Sequence, residues 1–359
     1  MSNHRGEAPG GSISLLGDLM FRAPVAGARW EAGSFHDVVA ELGRGDLTVA
    51  NLELPLSRRG HPVPKWANLR GDPELIDDVR RMGIDAVSLA NNHMLDFGQD
   101  ALIDTLAVCD AASVSRCGAG HDLDEALRPV ILNVGGLRVA LIGVACTVPL
   151  EADARPGKPG IAPLRIHVSF ELEIGQQAEQ PGSMPPVRTW ADASDLERVA
   201  NEITRARDVA DLVIVSMHWG VPGHWLSPCF NQILAEYQTP VGHALIDAGA
   251  DVIHGHHSHS LHPIEVYRGK PIIYSLGNFL FDWVLEFMEP ESVIARLFVA
   301  DGGWSLELIP LLVDETSGFP RLATGDEGHG VLKKLEELSR PFETPVIVEG
   351  DRATIALGQ

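Results

Sequence analysis

The sequence predicts an α/β protein, and three observations carry that prediction. Short apolar runs alternate with longer amphipathic segments over most of the chain. A polar or charged residue stands at the end of nearly every apolar run. Five of the fifteen histidines, His254, His256, His257, His259 and His262, follow directly on one such run, Ala250-Asp251-Val252-Ile253.

Each element has its own warrant. The runs 13–16, 47–50, 86–90 and 137–142 are too short for buried helices and read as strands. Between them, 73–82 and 99–111 carry apolar residues at helical spacing, the first opening with Asp72 as N-cap and Pro73 as first helical residue. The alternation resumes with a helix at 193–207, a strand at 212–217, a helix at 232–248 and the strand that ends in the histidine cluster. After Asn278 come two strand-like runs, 292–299 and 305–312, a helix near 330–339 and a short β tail. The resulting division is a disordered N-terminus at 1–11, a core at 12–300 and a C-terminal β/α extension packed on it at 301–359. A stretch rich in Pro, Gly, Glu and Gln at 151–190 has no sustained period and reads as a lid or insertion.

Composition narrows the function. A chain of 359 residues, 45% hydrophobic, can bury a large core. Its formal net charge of −21 excludes a nucleic-acid backbone as partner, since phosphate binding needs surplus Lys and Arg. No apolar run approaches the ~20 residues that span a bilayer, and the first residues lack the basic-then-apolar order of a secretory signal, so neither membrane nor export is expected. Cys109, Cys117, Cys146 and Cys229 are scattered, as buried thiols in a reducing cytoplasm would be.

The polar sites at strand ends are Asp18, Asn51-Leu52-Glu53, Asn91-Asn92-His93 with Asp96, His218-Trp219-Gly220, and Gly255-His256-His257-Ser258-His259. In an α/β sheet the carboxyl ends of strands converge on one edge, where residues distant in sequence meet. Acid and amide oxygens mixed with imidazole nitrogens, without thiolates, suit a catalytic divalent metal (Mn, Zn, Fe, Mg or Ca; one ion or two) rather than a structural zinc.

These motifs carry a resemblance. Gly17-Asp18, Asn51-Leu52-Glu53, Ala90-Asn91-Asn92-His93 with Asp96 and Gly98, His218-Trp219-Gly220, the Gly255-His256-His257-Ser258-His259 loop and Tyr274-Ser275-Leu276-Gly277-Asn278-Phe279 stand in the order found in the CapA-like, poly-γ-glutamate capsule synthesis branch of the calcineurin-like metallophosphoesterases. The resemblance covers about residues 12–282. It implies a four-layer α/β/β/α sandwich with two facing mixed sheets and a metal site at their strand ends. It also implies Asp18, Glu53, Asn92, His218, His257 and His259 as ligands, and His93 as catalytic imidazole oriented by Asp96. Phosphoesterases of this fold open with Asp-x-His, whereas Met20 stands at that position here, and the bridging acid is Glu53 rather than Asp.

A site short of its two-ion clamp suits proton abstraction beside a carbonyl, with a cation and two opposed acid/base groups. The function expected from residues and resemblance together is therefore Cα epimerisation (L to D) of a peptide C-terminal residue, as in lasso-peptide biosynthesis, with a leader-peptide-binding protein as partner. His93 is one base, and His259 or Lys65 the opposed one. Trp219, Trp225, His256 and Asn278 are the substrate-binding candidates. The alternatives are a metal-dependent phosphoesterase and a factor in poly-γ-glutamate capsule biosynthesis, catalytic or scaffolding.

Overall fold

The structure, a computed structural model, describes residues 10–171, 174–183, 185–220, 233–283, 288–300 and 303–358. Its first strand, Gly11–Met20, lies within a ten-stranded mixed sheet, parallel to Leu47–Leu52 on one side and antiparallel to Glu291–Ala300 on the other. Ala86–Ser88 and Ser115–Cys117 continue the parallel side. Gly303–Val313, Arg352–Leu357 and Ile347–Glu349 continue the antiparallel side, so residues 303–358 supply strands of this sheet itself. A second, six-stranded sheet runs in the order Ile264–Tyr267, Lys270–Ile273, Val252–His256, Leu212–His218, Leu137–Ala145, Val130–Val134.

Side-chain alternation packs the two sheets face to face. Ile13, Leu15 and Val49 of the first meet Val139, Leu141, Ile214 and Val252 of the second in one buried cluster. Residues of opposite parity face outward and receive helices. Leu16, Leu52 and Val87 pack against Val38, Val79 and Leu102 of the helices Ser34–Leu42, Leu75–Arg81 and Gln99–Ala112. Val213 and Val215 pack against Val199, Ile203, Val241 and Leu245 of Ala193–Arg207 and Gln238–Asp247. These layers make the four-layer α/β/β/α sandwich. Each fully buried Leu, Ile or Val contributes roughly 1.5–3 kcal/mol, so burial on both faces of both sheets anchors the strand ends firmly.

Several boundaries differ from the sequence reading. Gly11 already lies in the first strand, and the Gly10 N–H bonds to the Gly135 carbonyl, so only residues 1–9 of the expected disordered start lie outside the described residues. The helix expected from Pro73 begins at Leu75. The Asp72 carbonyl accepts the Leu75 N–H, but the Asp72 side chain pairs with Arg58 and caps nothing. The helix expected from Gln232 begins at Gln238, which puts Pro240 in the first turn, where a missing N–H costs least; Gln232 lies outside the described residues. The C-terminal helix starts at Gly325 rather than Gly330, with Asp326 and Glu327 at the positive end of its dipole.

The 151–190 stretch has two characters. Ala152, Ala154, Ile161, Ala162 and Leu164 are buried, and Ala162 bonds to Gly118 on one side and Ala145 on the other. Beyond them, Ile166–Phe170 and Val187–Ala191 form an exposed antiparallel hairpin. Cys109, Cys117 and Cys146 are buried free thiols; Cys229 lies outside the described residues. Among the described residues no helix is long and apolar enough to cross a membrane.

Candidate metal centre

Asp18 is placed by a break in its own strand. The register against Leu47–Leu52 shifts between Leu15 and Asp18, and the Asp18 N–H turns to the Gly277 carbonyl at 3.1 Å. That approach requires glycine at 17, because a Cβ there would stand 1.9 Å from the same carbonyl oxygen. At the end of the neighbouring strand Asn51 and Glu53, two residues apart, share a face. In the second sheet His218 and His256 are direct neighbours at the ends of adjacent parallel strands. The loop that follows holds two non-glycine residues at positive φ, His257 at 105° and His259 at 54°. Such conformations cost of order 1–3 kcal/mol each and persist where surroundings enforce them. Here the buried Asp18 carboxylate does so, accepting the His257 N–H at 3.1 Å and lying 3.3 Å from the His259 Nδ1.

These elements bring the expected ligands together around Glu53. Its Oε1 is buried and has no hydrogen-bond partner among the described residues. Nε2 atoms of three imidazoles surround it instead: His218 at 3.8 Å, His259 at 3.8 Å and His93 at 4.0 Å. Those separations are too long for hydrogen bonds. They match ligand atoms that share an ion, since two donors each about 2.0–2.2 Å from a metal stand roughly 3.0–4.2 Å apart. Three overlapping sets have donor atoms mutually within 4.8 Å: Asp18, Glu53 and His259; Glu53, His218 and His257; Asp18, His218 and His256. The Asn92 Oδ1 lies 2.8 Å from the His218 Nε2, adding a neutral oxygen to the second set. The donor set of carboxylates, amide oxygen and neutral imidazoles therefore fits a divalent cation, one or two.

Electrostatics point the same way. Burial opposes ionisation of Asp18, but the hydrogen bond and charge of His259, the charge of His256 and the Asn51 amide hold it below the usual carboxylate range. Burial, and next the charge of Asp18, push Glu53 well above its ordinary value. A second buried carboxylate beside a first is costly without a cation between them, and a bound ion reverses that cost. Burial drives His256 and His257 down to about 3, His254 to about 4, and His218 well below its ordinary value. All four are neutral at neutral pH, the form that ligates.

Beside this cluster His93 forms a dyad. Its Nδ1 lies 2.6 Å from Asp96 Oδ2, which leaves Nε2 facing Glu53. Lys65, expected as an opposed base, lies behind the dyad. Its Nζ donates to Asp96 Oδ1 at 2.5 Å and to the Asn92 carbonyl at 2.7 Å, and stands 3.3 Å from the His93 Nδ1, not Nε2. It cannot meet a substrate from the side opposite His93.

The substrate-binding candidates fare unevenly. His256 is fully buried, with Nε2 2.9 Å from Ser216 Oγ and Nδ1 2.8 Å from His218 Nδ1, so it is closed to a substrate, although its ring belongs to the third donor set. Trp219 is 1% exposed, stacked on Tyr274 and bonded through its indole N–H to the Tyr274 carbonyl. It is a core residue. Asn278, 2% exposed, faces the His259 Nδ1 with its Oδ1 at 2.9 Å, and so orients that imidazole. Trp225 lies outside the described residues. Met20 is buried in the apolar cluster under the first sheet and offers no ligand.

Two amides that the sequence reading named at strand ends without a role are structural. Asn51 donates to Asp18 Oδ1 at 2.8 Å and stands 3.3 Å from Glu53 Oε2, holding the two carboxylates in place. Asn91 donates to Asn51 and to the Leu52 carbonyl while accepting the His93 N–H. Their positions inside the same strand-end motifs as Glu53 and Asn92 were the available signal.

A family model described as "Bacterial capsule synthesis protein PGA_cap" matches residues 12–283, which hold every residue of the cluster. A "Probable polyglutamine synthesis accessory protein" of Mycobacterium tuberculosis is 30% identical over 336 residues, covering 90% of this chain and 80% of its own length. The "Capsule biosynthesis protein CapA" of Bacillus anthracis is 29% identical, covering 92% and 74%. The "PGA biosynthesis protein CapA" of Bacillus subtilis is 26% identical, covering 86% and 73%.

Proposed function

The chain belongs to the bacterial capsule synthesis protein PGA_cap family, and from that premise we propose that it is a divalent-metal enzyme acting on an amide-linked chain, in the polymer synthesis for which its relatives are named. The observation that carries the proposal is the buried Oε1 of Glu53, without a hydrogen-bond partner among the described residues and set among three imidazole nitrogens. Asp18, Glu53, Asn92, His218, His257 and His259 would hold the ion. When bound, it supplies Lewis acidity toward a substrate oxygen.

The chain's own residues handle the proton. Asp96 accepts the Nδ1–H of His93 and so fixes the tautomer with a free Nε2 lone pair facing the cluster. Burial lowers the affinity of His93 for a proton, against the opposing pull of Asp96, which keeps a neutral base available near neutral pH. Lys65 holds Asp96 and the Asn92 main chain in one arrangement, so the dyad and a candidate ligand move together.

A specific observation also favours the epimerase reading. With Lys65 behind the dyad, His259 is the remaining candidate for an opposed base, a role open to it only if the ion is held by the other ligands, because its Nδ1 faces Asn278 and Asp18 and its Nε2 alone faces Glu53. One experiment separates the chemistries. The metal-loaded chain is incubated in deuterium oxide with a γ-glutamyl oligomer, a peptide amide and nitrophenyl phosphate, and products are followed by mass spectrometry. Chain shortening supports amide hydrolysis; deuterium at Cα without shortening supports epimerisation; phosphate release alone turns the reading to phosphoester hydrolysis. If none occurs with metal-loaded protein the enzyme reading fails, and a fully active His93→Ala would remove His93 from the catalytic role.

A further inference from the structure

A line of buried polar groups runs from the candidate ligand His218 away from the site, and nothing in the proposed chemistry uses it. The Nδ1 of His218 lies 2.8 Å from the Nδ1 of His256, whose Nε2 lies 2.9 Å from Ser216 Oγ. Ser216 Oγ lies 3.5 Å from the Nδ1 of His254, whose Nε2 lies 2.7 Å from the Leu16 carbonyl oxygen. All four side chains are fully buried, so no water competes for these bonds.

Donor and acceptor accounting allows two arrangements of this line. The Leu16 carbonyl only accepts, so a neutral His254 carries its proton on Nε2 and offers a lone pair at Nδ1. In the first arrangement the Ser216 hydroxyl donates to His256 Nε2. His256 then donates from Nδ1 to His218 Nδ1, and His218 carries its proton on Nε2, bonded to Asn92 Oδ1 at 2.8 Å. In the second, the Ser216 hydroxyl turns to His254, His256 donates from Nε2 to Ser216, and His218 donates from Nδ1 to His256. Only the second leaves a lone pair on His218 Nε2, which then faces the Asn92 oxygen and Glu53. Two acceptors 2.8 Å apart without a shared proton call for a cation.

We propose that this line is a two-state relay in which Ser216 is a positioning residue: metal capture at His218 Nε2 turns the Ser216 hydroxyl from His256 to His254 and reverses the tautomers of His256 and His218. From the first arrangement to the second the His256 Nδ1 proton passes to His218 Nδ1, the His218 Nε2 proton leaves to solvent as that lone pair is taken, and His256 Nε2 takes one proton from solvent when the line opens, so each imidazole keeps one proton and none changes charge. The relay rests on the metal reading of the site, but its signature lies in His256, whose two ring nitrogens face Ser216 and His218 on the line.

The test is nitrogen NMR of the full chain labelled with ¹⁵N-histidine, metal-free and zinc-loaded, together with zinc affinity. The expected result is His256 protonated on Nδ1 without zinc and on Nε2 with it, with His254 protonated on Nε2 throughout. Ser216→Ala should weaken zinc binding roughly 10- to 100-fold, the usual range for an outer partner of a ligating histidine. Ser216→Thr, which keeps the hydroxyl, should recover most of that loss. A His256 tautomer that is the same in both states overturns the relay even if zinc binds normally, as does direct zinc ligation by His256. Unchanged affinity in Ser216→Ala overturns it as well. Failure of zinc to bind the wild-type chain at all would instead sink the metal reading.

Discussion

Lys65 Nζ lies 2.5 Å from Asp96 Oδ1, on the Nδ1 side of His93. The lysine therefore acts on the dyad from behind. Asp96 is fully buried, so removing its cation leaves a charge in a dry site. Lys65→Met is expected to lose about 1.5–3 kcal/mol of stability in urea unfolding, the range for hydrogen bonds to charged groups. It should keep its bound metal. A variant as stable as wild type would show that Lys65 is not tied to Asp96.

Glu53→Gln separates the metal from the fold. The substitution removes a buried carboxyl whose ionisation burial and Asp18 already disfavour, so the metal-free variant should melt no lower than metal-free wild type. Added zinc at a hundredfold excess over its dissociation constant should stabilise wild type by about 2.7 kcal/mol and the variant by far less. Calorimetry with and without zinc reads both. Equal stabilisation of the two proteins would remove Glu53 from the ligand set.

Far from the site, Arg296 and Glu41 form a buried ion pair at 2.8 Å, both side chains under 5% exposed. Arg352 reaches the same carboxylate at 3.0 Å. Burial opposes ionisation of Glu41, but the Arg296 hydrogen bond and the two guanidinium charges hold its folded value below the ordinary carboxylate range. A carboxyl lowered on folding contributes stability that is present above its unfolded value and is lost as pH falls through the folded one. Glu41→Gln should therefore cost about 3–5 kcal/mol at pH 7 and shrink in cost below pH 4. Denaturant titrations at the two pH values check this, and a pH-independent cost would contradict it.

Trp219 offers a control. As a buried ring stacked on Tyr274, it should cost about 3–5 kcal/mol when cut to Ala while metal content per folded chain stays unchanged. Loss of metal without loss of stability would return it to the site.

Much of this was legible in the sequence, for reasons of period. Asp18, Glu53, Asn92, His218 and His257 were legible as polar residues at strand ends, which converge in an α/β fold, and as ligands through the family resemblance, and the structure brings those five to one place. What was not legible is which side of a buried group another residue approaches. Lys65 sits 28 residues before His93, and no periodicity says that it meets Nδ1 rather than Nε2. His256 and Trp219 stood as substrate-binding candidates, but the strands Val252–His256 and Leu212–His218 are buried on both faces, so alternation carried no inside-outside signal. Helix starts slipped where capping came from the main chain, as at Asp72.

The most direct test is an anomalous difference map from crystals of the full chain grown with manganese. A cation held by this centre predicts a peak within about 2.0–2.3 Å of Glu53 Oε1 and of the His218 or His259 Nε2. A map with no peak beside Glu53, at full occupancy of manganese elsewhere or none, would contradict it.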